Sequence, residues 1–200
     1  MKKRKPLRRK PPSELAFLPT ASGGIARAAY TRAVEAGIDI APLLKSRYLA
    51  NISTLRLCGE DDNGHLGIEG IESLAKNKNL ANLRHLDLSG NWFGPDGIPP
   101  LVEAVWLPNL RRLELEGVGI ANEGVDWLAG ATGFRSLRVL NLVSNSIGER
   151  GGQRILNTSW FEQLELLDLR DHVGENYIDE PLTATTVDLL KQKFGARIRL

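Results

Sequence analysis

The side chains best suited to chemistry in this 200-residue sequence are three carboxylates that recur at regular spacing. Asp87, Glu114 and Asp168 occupy the same place in a short pattern, Leu-x-x-Leu-x-Leu, at separations that are multiples of 27 residues. Paired carboxylates perform general acid–base catalysis when they share a pocket that excludes water. Neighbouring strands of a sheet instead place equivalent side chains about 5 Å apart along an open face. The spacing therefore predicts a charged surface rather than an enclosed catalytic site.

Other patterns of catalytic or metal-binding residues are missing from the sequence. None of the three histidines has metal-ligand spacing with another histidine or with the single cysteine, Cys58. The motifs of serine hydrolases, zinc proteases and P-loop nucleotide-binding proteins do not occur. Asp61–His65 resembles a calcium loop but lacks the alternating oxygen ligands and the final glutamate, so a tight turn is the better prediction. We therefore expect a protein that is not an enzyme and has no bound metal or cofactor.

The elements that position the carboxylates follow from an internal repeat. Four copies of Leu-x-x-Leu-x-Leu start 27 residues apart, at Leu83, Leu110, Leu137 and Leu164. A fifth copy starts at Ile52, displaced by 31 residues, and a degenerate strand at 198–200 is expected to close the chain. Alternating leucines predict a short strand with one face buried.

A helix is expected after the turn in each repeat, because the apolar spacing changes there to a helical period. Pro99 and Pro100 lie inside the first helix and are expected to delay its regular part by a turn. Each strand–helix unit is too small to bury its apolar side alone, so neighbouring units must stack. The predicted helices are Pro95–Trp106, Asn122–Ala131 and Glu149–Thr158.

The turns of the repeats carry a family resemblance. Asn91-Trp-Phe-Gly-Pro-Asp-Gly97 and Asn145-Ser-Ile-Gly-Glu-Arg-Gly151 resemble the ribonuclease-inhibitor-like class of leucine-rich repeats, in its short bacterial type. The resemblance covers about residues 52–200 and implies an α/β solenoid shaped as a curved horseshoe segment. Its parallel sheet would line the concave side and its helices the convex side, with partner binding as the commonest use. Val118 and His172 replace the turn asparagine, so their loops are expected to be less regular or to satisfy their backbone groups differently.

Charge and composition divide the chain into three parts. Residues 1–10 contain seven Lys or Arg and no acid, within a proline-containing tail over 1–22 that we expect to be disordered. Residues 23–50 are predicted to form a helical cap, with helices over Ile25–Ala36 and Ala41–Leu49, and the repeats occupy 51–200. One cysteine, no long apolar run and no apolar core after the basic terminus predict a cytoplasmic protein without a transmembrane helix.

The candidate binding surface consists of the positions that flank the strand leucines, which should point away from the core. Its middle column is acidic or polar, and three apolar side chains lie beside it. Trp92 is expected on the rim of the loops, exposed for a partner or packed on a neighbouring loop, whereas Trp106 and Trp160 share a repeat position that indicates structural packing. The candidate partner-binding residues are Asp87, Glu114, Glu116, Val139, Asn141, Val143, Leu166, Asp168 and Trp92.

These features predict a protein–protein interaction module whose sheet and rim loops bind a partner, with a basic protein as the complement of the acidic column. Polar side chains that only keep the sheet soluble are the alternative explanation for the charges. A second hypothesis is a nucleic-acid-associated protein that uses residues 2–10, since clustered Lys and Arg attract phosphate polymers without sequence specificity. The family resemblance adds a third, a non-enzymatic regulator of a GTPase-like partner.

Overall fold

The computed structural model describes residues 25–27, 41–59, 66–170 and 180–200. Seven strands within these ranges form a single parallel sheet in chain order, and helices alternate with them. The predicted α/β solenoid is therefore confirmed. The strands are β1 (Ile25–Arg27), β2 (Thr54–Arg56), β3 (His85–Asp87), β4 (Arg112–Glu114), β5 (Val139–Asn141), β6 (Leu166–Asp168) and β7 (Ile198–Arg199). The α-helices are α1 (Ala41–Leu44), α2 (Gly67–Ala75), α3 (Ile98–Val102), α4 (Ala121–Gly130), α5 (Glu149–Leu156) and α6 (Ala184–Phe194).

Strand register reproduces the repeat found in the sequence. The central leucines of β3 to β6 pair in succession and are completely buried, as Leu86, Leu113, Leu140 and Leu167. At the two ends, Leu55 pairs with Leu86 and Ile198 pairs with Leu167, which confirms the displaced copy and the closing strand. Burying one leucine contributes about 1.5–3 kcal/mol, so this column is a large part of the hydrophobic core.

The helices differ from their predicted bounds mainly where prolines intervene. Helix α3 begins only after a 3-10 turn over Pro95–Gly97, which confirms the predicted delay. It ends at Val102 instead of Trp106, and a second 3-10 turn covers Leu107–Asn109. Helices α4 and α5 lie close to the predicted ranges.

The predicted first cap helix is wrong at its start. Residues 25–27 form strand β1, which pairs with β2 through Ile25 and Thr54. A sheet that began at β2 would leave a row of backbone N–H and C=O groups unpaired at its edge, and β1 satisfies them. Ala41–Leu49 is not one continuous helix either, because α1 is followed by a 3-10 helix over Arg47–Asn51. The predicted basic tail and the rest of the first cap helix lie outside the described residues.

Buried asparagines hold successive repeats together through their loops. The side-chain oxygen of Asn145 accepts hydrogen bonds from three consecutive backbone N–H groups of the preceding repeat, at 2.9–3.2 Å. Those groups belong to Val118, Gly119 and Ile120. The amide nitrogen of Asn145 donates to the Leu115 carbonyl oxygen at 2.6 Å. An asparagine in one repeat therefore orders the loop of the repeat before it.

Because a turn asparagine orders the loop of the preceding repeat, its absence does not affect the loop in which it would lie. Val118 lies in a loop whose N–H groups are served by Asn145, so this loop satisfies its backbone through the next repeat, the second of the two expected outcomes. Asn91 serves the repeat before it in the same way: its side-chain oxygen accepts from the Leu66 N–H at 2.9 Å and its nitrogen donates to the Leu57 carbonyl. The other expected irregular loop, at His172, lies outside the described residues.

Replacing Asn145 with alanine is expected to lower the free energy of unfolding by about 3 kcal/mol, because three backbone N–H groups, two of them buried, lose their acceptor. Denaturation in guanidinium chloride measures the change. Asn157→Ala, at an exposed asparagine that ends α5, is the matched control and should cost far less. A loss below about 1 kcal/mol for Asn145→Ala would contradict the role assigned to this side chain.

Helices α5 and α6 are joined by the Glu149 carboxylate. It accepts hydrogen bonds from the Thr186 hydroxyl at 2.6 Å, the Thr183 backbone N–H at 2.9 Å and the Gln153 amide at 3.0 Å. These donors favour the ionised form and lower the pKa of Glu149 from 4.5 to about 2. The stabilisation is therefore complete above pH 4.5 and is lost as the pH falls towards 2.

Comparison of the wild-type protein with Glu149→Gln tests this linkage. The variant is expected to be less stable at neutral pH, and the difference should shrink as the pH falls from 4.5 towards about 2. Unfolding curves recorded across this pH range provide the measurement. Glu103→Gln, at an exposed glutamate, serves as the control. A difference that is independent of pH would show that the carboxylate charge does not join the helices.

Candidate functional site

The face of the sheet that turns away from the helices carries two columns of side chains that the backbone register defines. The first contains, from β2 to β6, Thr54, His85, Arg112, Val139 and Leu166. The second contains Arg56, Asp87, Glu114, Asn141, Asp168 and, from β7, Arg199. The columns derived from the sequence are therefore present, and β7 adds an arginine at one end of the acidic column.

Three acidic side chains of this face are paired with arginines, and two of them, Glu114 and Asp168, are buried. Glu114 is buried, accepts a hydrogen bond from the Arg112 guanidinium and forms an ion pair with it. Arg56 lies 3.8 Å from the Asp87 carboxylate. Arginines of the same face therefore already balance the charges of Glu114 and Asp87.

Asp168 has the most complete set of partners. Arg170 donates two hydrogen bonds to its carboxylate, at 2.8 and 2.7 Å, and Arg199 lies at 3.4 Å. Burial alone would raise the pKa of Asp168, but the hydrogen bonds and charges of the two arginines lower it below its usual value. Asp168 is therefore ionised and internally satisfied at neutral pH.

The prediction of an acidic surface is consequently wrong as a description of what solvent meets. Side chains of the paired arginines at 56, 112, 170 and 199 are 45–54% exposed, whereas those of the aspartates and glutamate they contact are 6–14% exposed. Guanidinium groups cover the carboxylates because a short acid on a strand lies beneath the longer arginine next to it. The exposed charge of this face is therefore largely positive and does not complement a basic partner.

The predicted apolar centre is smaller than expected. Val143 is only 3% exposed, so it contributes little surface to a partner. Val139 and Leu166 are half-buried and pair directly with each other between β5 and β6. Beside them, Asn141 donates a hydrogen bond to the Glu116 carboxylate at 3.3 Å. The remaining apolar contact surface is therefore a pair of side chains within a polar network.

His85 fills the space between the charged groups and does not carry charge itself. Burial lowers the pKa of His85 below 6.5 and outweighs the opposite effect of the Glu114 carboxylate. The imidazole is therefore neutral near pH 7, and the 3.8 Å separation of its Nε2 from Glu114 is not an ion pair. That nitrogen is buried and has no hydrogen-bond partner among the described residues.

Trp92 occupies an exposed and strained position on the loop rim. Its φ angle is +42°, in the left-handed region, where other repeats place Gly119 and Ser146. A bulky side chain is unusual there and costs about 1–2 kcal/mol. The ring lies over Gly119 and 67% of the residue remains exposed. The fold therefore holds a large aromatic surface in solvent at an energetic cost.

Trp106 and Trp160 have the structural role that their shared repeat position predicts. The indole nitrogen of Trp106 donates to the Leu74 carbonyl at 3.0 Å, and that of Trp160 donates to the Leu128 carbonyl at 3.2 Å. Trp106 is completely buried and Trp160 stacks on Phe161. Each ring thus connects the end of one helical segment to the helix of the repeat before it.

Sequence reasoning overlooked a depression at the amino-terminal ends of strands β4 and β5. Its volume is about 440 Å³, and it is lined by Arg111, Arg112, Ser136, Arg138, Val139 and Glu165. The available signal was the arginine that follows the first leucine of three repeats, at positions 84, 111 and 138.

Neither a metal site nor a membrane span stands out in the described ranges. These ranges contain no group of three or more His, Cys, Asp or Glu that could hold a metal ion. The calcium-like segment at 61–65 lies outside them. No helix within them is long and apolar enough to cross a membrane.

The fold and the repeated turns define the class of protein, and comparison with known proteins agrees. A family model described as leucine-rich repeat matches residues 79–102 and 135–156. The two matched segments and the solenoid fold support a leucine-rich repeat protein. Such repeats generally mediate protein–protein interaction and typically belong to binding modules without enzymatic activity.

A solved structure is similar over most of the chain. It is a protein of Bacteroides fragilis, a Northeast Structural Genomics Consortium target, with a TM-score of 0.53 and 16% sequence identity. The similarity covers 74% of this chain and 41% of that one, so this chain spans about two fifths of that protein's length. At this identity the likeness shows the fold alone. No curated protein matches the sequence.

The strain at Trp92 has a measurable signature in stability. Trp92→Gly is expected to be about 1 kcal/mol more stable than Trp92→Ala, because both lose the ring but only glycine fits the left-handed backbone. Chemical denaturation of the two variants gives the difference. The same pair of substitutions at Ile68, exposed in helix α2, should show the opposite order, since glycine weakens a helix. An alanine variant as stable as the glycine variant would argue against strain at position 92.

Proposed function

We propose that this chain is a protein-interaction module that binds its partner through the exposed face of the sheet and the rim of the adjoining loops. The observation that carries the proposal is Trp92, an exposed aromatic side chain held in a backbone conformation that costs stability. The turn conformation recurs in other repeats at Gly119 and Ser146, but a tryptophan there adds strain, and such strain is typical of functional positions. Tryptophan is also among the residues enriched at the centres of protein interfaces.

The character of the sheet face supports the same proposal. Half-exposed arginines surround the half-buried Val139 and Leu166, which gives the mixture of apolar contacts and hydrogen-bond donors found in protein interfaces. Of the nine candidate residues, Glu114, Asp168 and Val143 are buried, and we assign them to support of this surface rather than to direct contact. Asp87, Glu116, Val139, Asn141, Leu166 and Trp92 remain as candidates for contact.

We also propose three points that the sequence suggested. The repeats belong to the ribonuclease-inhibitor-like class, the protein is cytoplasmic, and it is not an enzyme. A 27-residue repeat of strand and helix supports the ribonuclease-inhibitor-like class. The single cysteine in 200 residues supports the cytoplasm, because reducing compartments disfavour disulfide-rich proteins. The open face of paired charges supports a role without catalysis, since it provides no enclosed carboxylate pair for proton transfer.

Two exposed tryptophans on different parts of the molecule allow a matched test. Trp92 lies on the loop rim, whereas Trp127 is 47% exposed on helix α4. Wild-type protein, Trp92→Gly and Trp127→Ala are immobilised, and proteins captured from native lysate are quantified by mass spectrometry. We expect Trp92→Gly to weaken capture of the specific partner about thirtyfold, as removal of a hot-spot residue does, and Trp127→Ala to leave it unchanged.

The opposite pattern, with capture lost only in Trp127→Ala, would place the interface on the helical side and contradict the proposal. Equal recovery of every captured protein by all three forms would contradict it as well. Circular dichroism of each form shows that the fold is retained.

A further inference from the structure

Three arginines form a regular row across the amino-terminal ends of strands β3, β4 and β5. Arg84, Arg111 and Arg138, here called the arginine ladder, each precede a strand of the sheet at the same repeat position. The Arg111 backbone N–H donates to the Arg84 carbonyl at 2.7 Å, and the Arg138 N–H donates to the Arg111 carbonyl at 2.8 Å. Backbone pairing thus spaces the ladder at the strand interval, about 4.8 Å.

Carboxylates balance the charge of the ladder only in part. Among the described residues, no carboxylate lies within ion-pair distance of Arg84 or Arg111, and Arg138 reaches Glu165 only at 4.0 Å. The arginines that flank the acidic column, such as Arg112, are by contrast paired. Like charges on adjacent strands destabilise a sheet, so the ladder opposes folding where the other arginines support it.

Two of the ladder side chains are held in place before any ligand arrives. The Arg84 guanidinium donates to the Leu83 carbonyl at 3.1 Å, and that of Arg138 donates to the Leu137 carbonyl at 2.9 Å. A guanidinium has five N–H donors, so each retains donors for another acceptor. A pre-oriented arginine loses less conformational freedom when it binds a carboxylate.

Two arginines of the ladder line the depression at the amino-terminal ends of β4 and β5. Arg111 and Arg138 line it together with Val139, the apolar residue of the same strand edge. A volume of about 440 Å³ is within the range of sites that hold a few side chains or a small ligand. The lining also includes Arg112, which is already paired with Glu114, and the Glu165 carboxylate. The site therefore offers the guanidinium groups of Arg111 and Arg138 beside one apolar contact.

We infer that the arginine ladder and this depression bind an acidic peptide segment of a protein partner. Carboxylates of the segment accept hydrogen bonds from Arg111 and Arg138, and an apolar side chain of the segment packs on Val139. The planar guanidinium matches a carboxylate in a two-point hydrogen bond. This inference rests on the proposed function and names the chemistry of the partner, which is the opposite of the basic partner expected from the sequence.

A protein segment fits these residues better than a nucleic acid does. The lining contains no aromatic ring on which a base could stack. A peptide can instead alternate acidic and apolar side chains to match the arginines and Val139.

A peptide selection on the full chain tests the inference without knowledge of the partner. A phage library of random dodecapeptides is first depleted on the variant Arg84→Gln/Arg111→Gln/Arg138→Gln, which keeps the basic residues 2–10 and so removes peptides that bind them. The depleted library is then selected on wild-type protein. We expect the enriched peptides to carry Asp or Glu on both sides of an apolar residue.

Single variants then locate the contact. Arg111→Gln should weaken the best synthetic peptide by about tenfold or more in fluorescence anisotropy, because one two-point contact is lost. Arg111 is exposed and has no ion-pair partner among the described residues, so this variant is expected to fold even if the triple variant does not. Arg154→Gln is the matched control, because Arg154 lies on helix α5 and pairs with Asp126 of α4.

Three results would overturn the inference. These are enrichment of neutral or basic peptides, equal affinity of wild type and Arg111→Gln, or stronger ladder-dependent binding of oligo-dT than of the peptide. If partner capture still depended on Trp92 in any of these cases, the proposed function would stand and only the acidic-segment inference would fail. Loss of both dependences would reject the proposed function as well.

Discussion

Successive strands meet at one constant register, and the stack of buried leucines depends on that constraint. Leu86, Leu113, Leu140 and Leu167 can share a column only because each repeat returns the chain to the same position beside the previous strand. A slip by one residue would turn every leucine towards solvent and every charged neighbour towards the core. The same register that buries the leucines aligns the acids, the paired arginines and the arginine ladder into columns.

Local periodicity was sufficient to predict the repeated part of the fold. The leucine spacing predicted the strands, their parallel order and even the closing strand at Ile198, because burial of a strand face leaves a period of two in the sequence. Strand β1 escaped prediction because no leucine pattern marks it. Residues 25–27 pair with β2 through backbone atoms, and backbone pairing at an edge has almost no side-chain signature.

The candidate site was only partly predictable, for a reason that is also physical. Which residues share the face follows from alternation, but which charge reaches solvent depends on side-chain length and on neighbours across strands. Asp168 pairs with Arg170 two residues away and with Arg199 from β7. The first contact could have been inferred from the sequence, while the second required the register between β6 and β7. Trp92 was identified by residue type and loop position, but its strained backbone required coordinates.

The direction of the asparagine contacts has a consequence for how the chain is made. Asn145 satisfies N–H groups that lie 25–27 residues earlier in the chain, and Asn91 serves Leu66 in the same sense. A ribosome releases the amino-terminal repeat first, so each of these loops waits for an asparagine that has not yet been translated. At these two loops assembly is therefore retrospective: the later turn, once it has emerged, completes its predecessor.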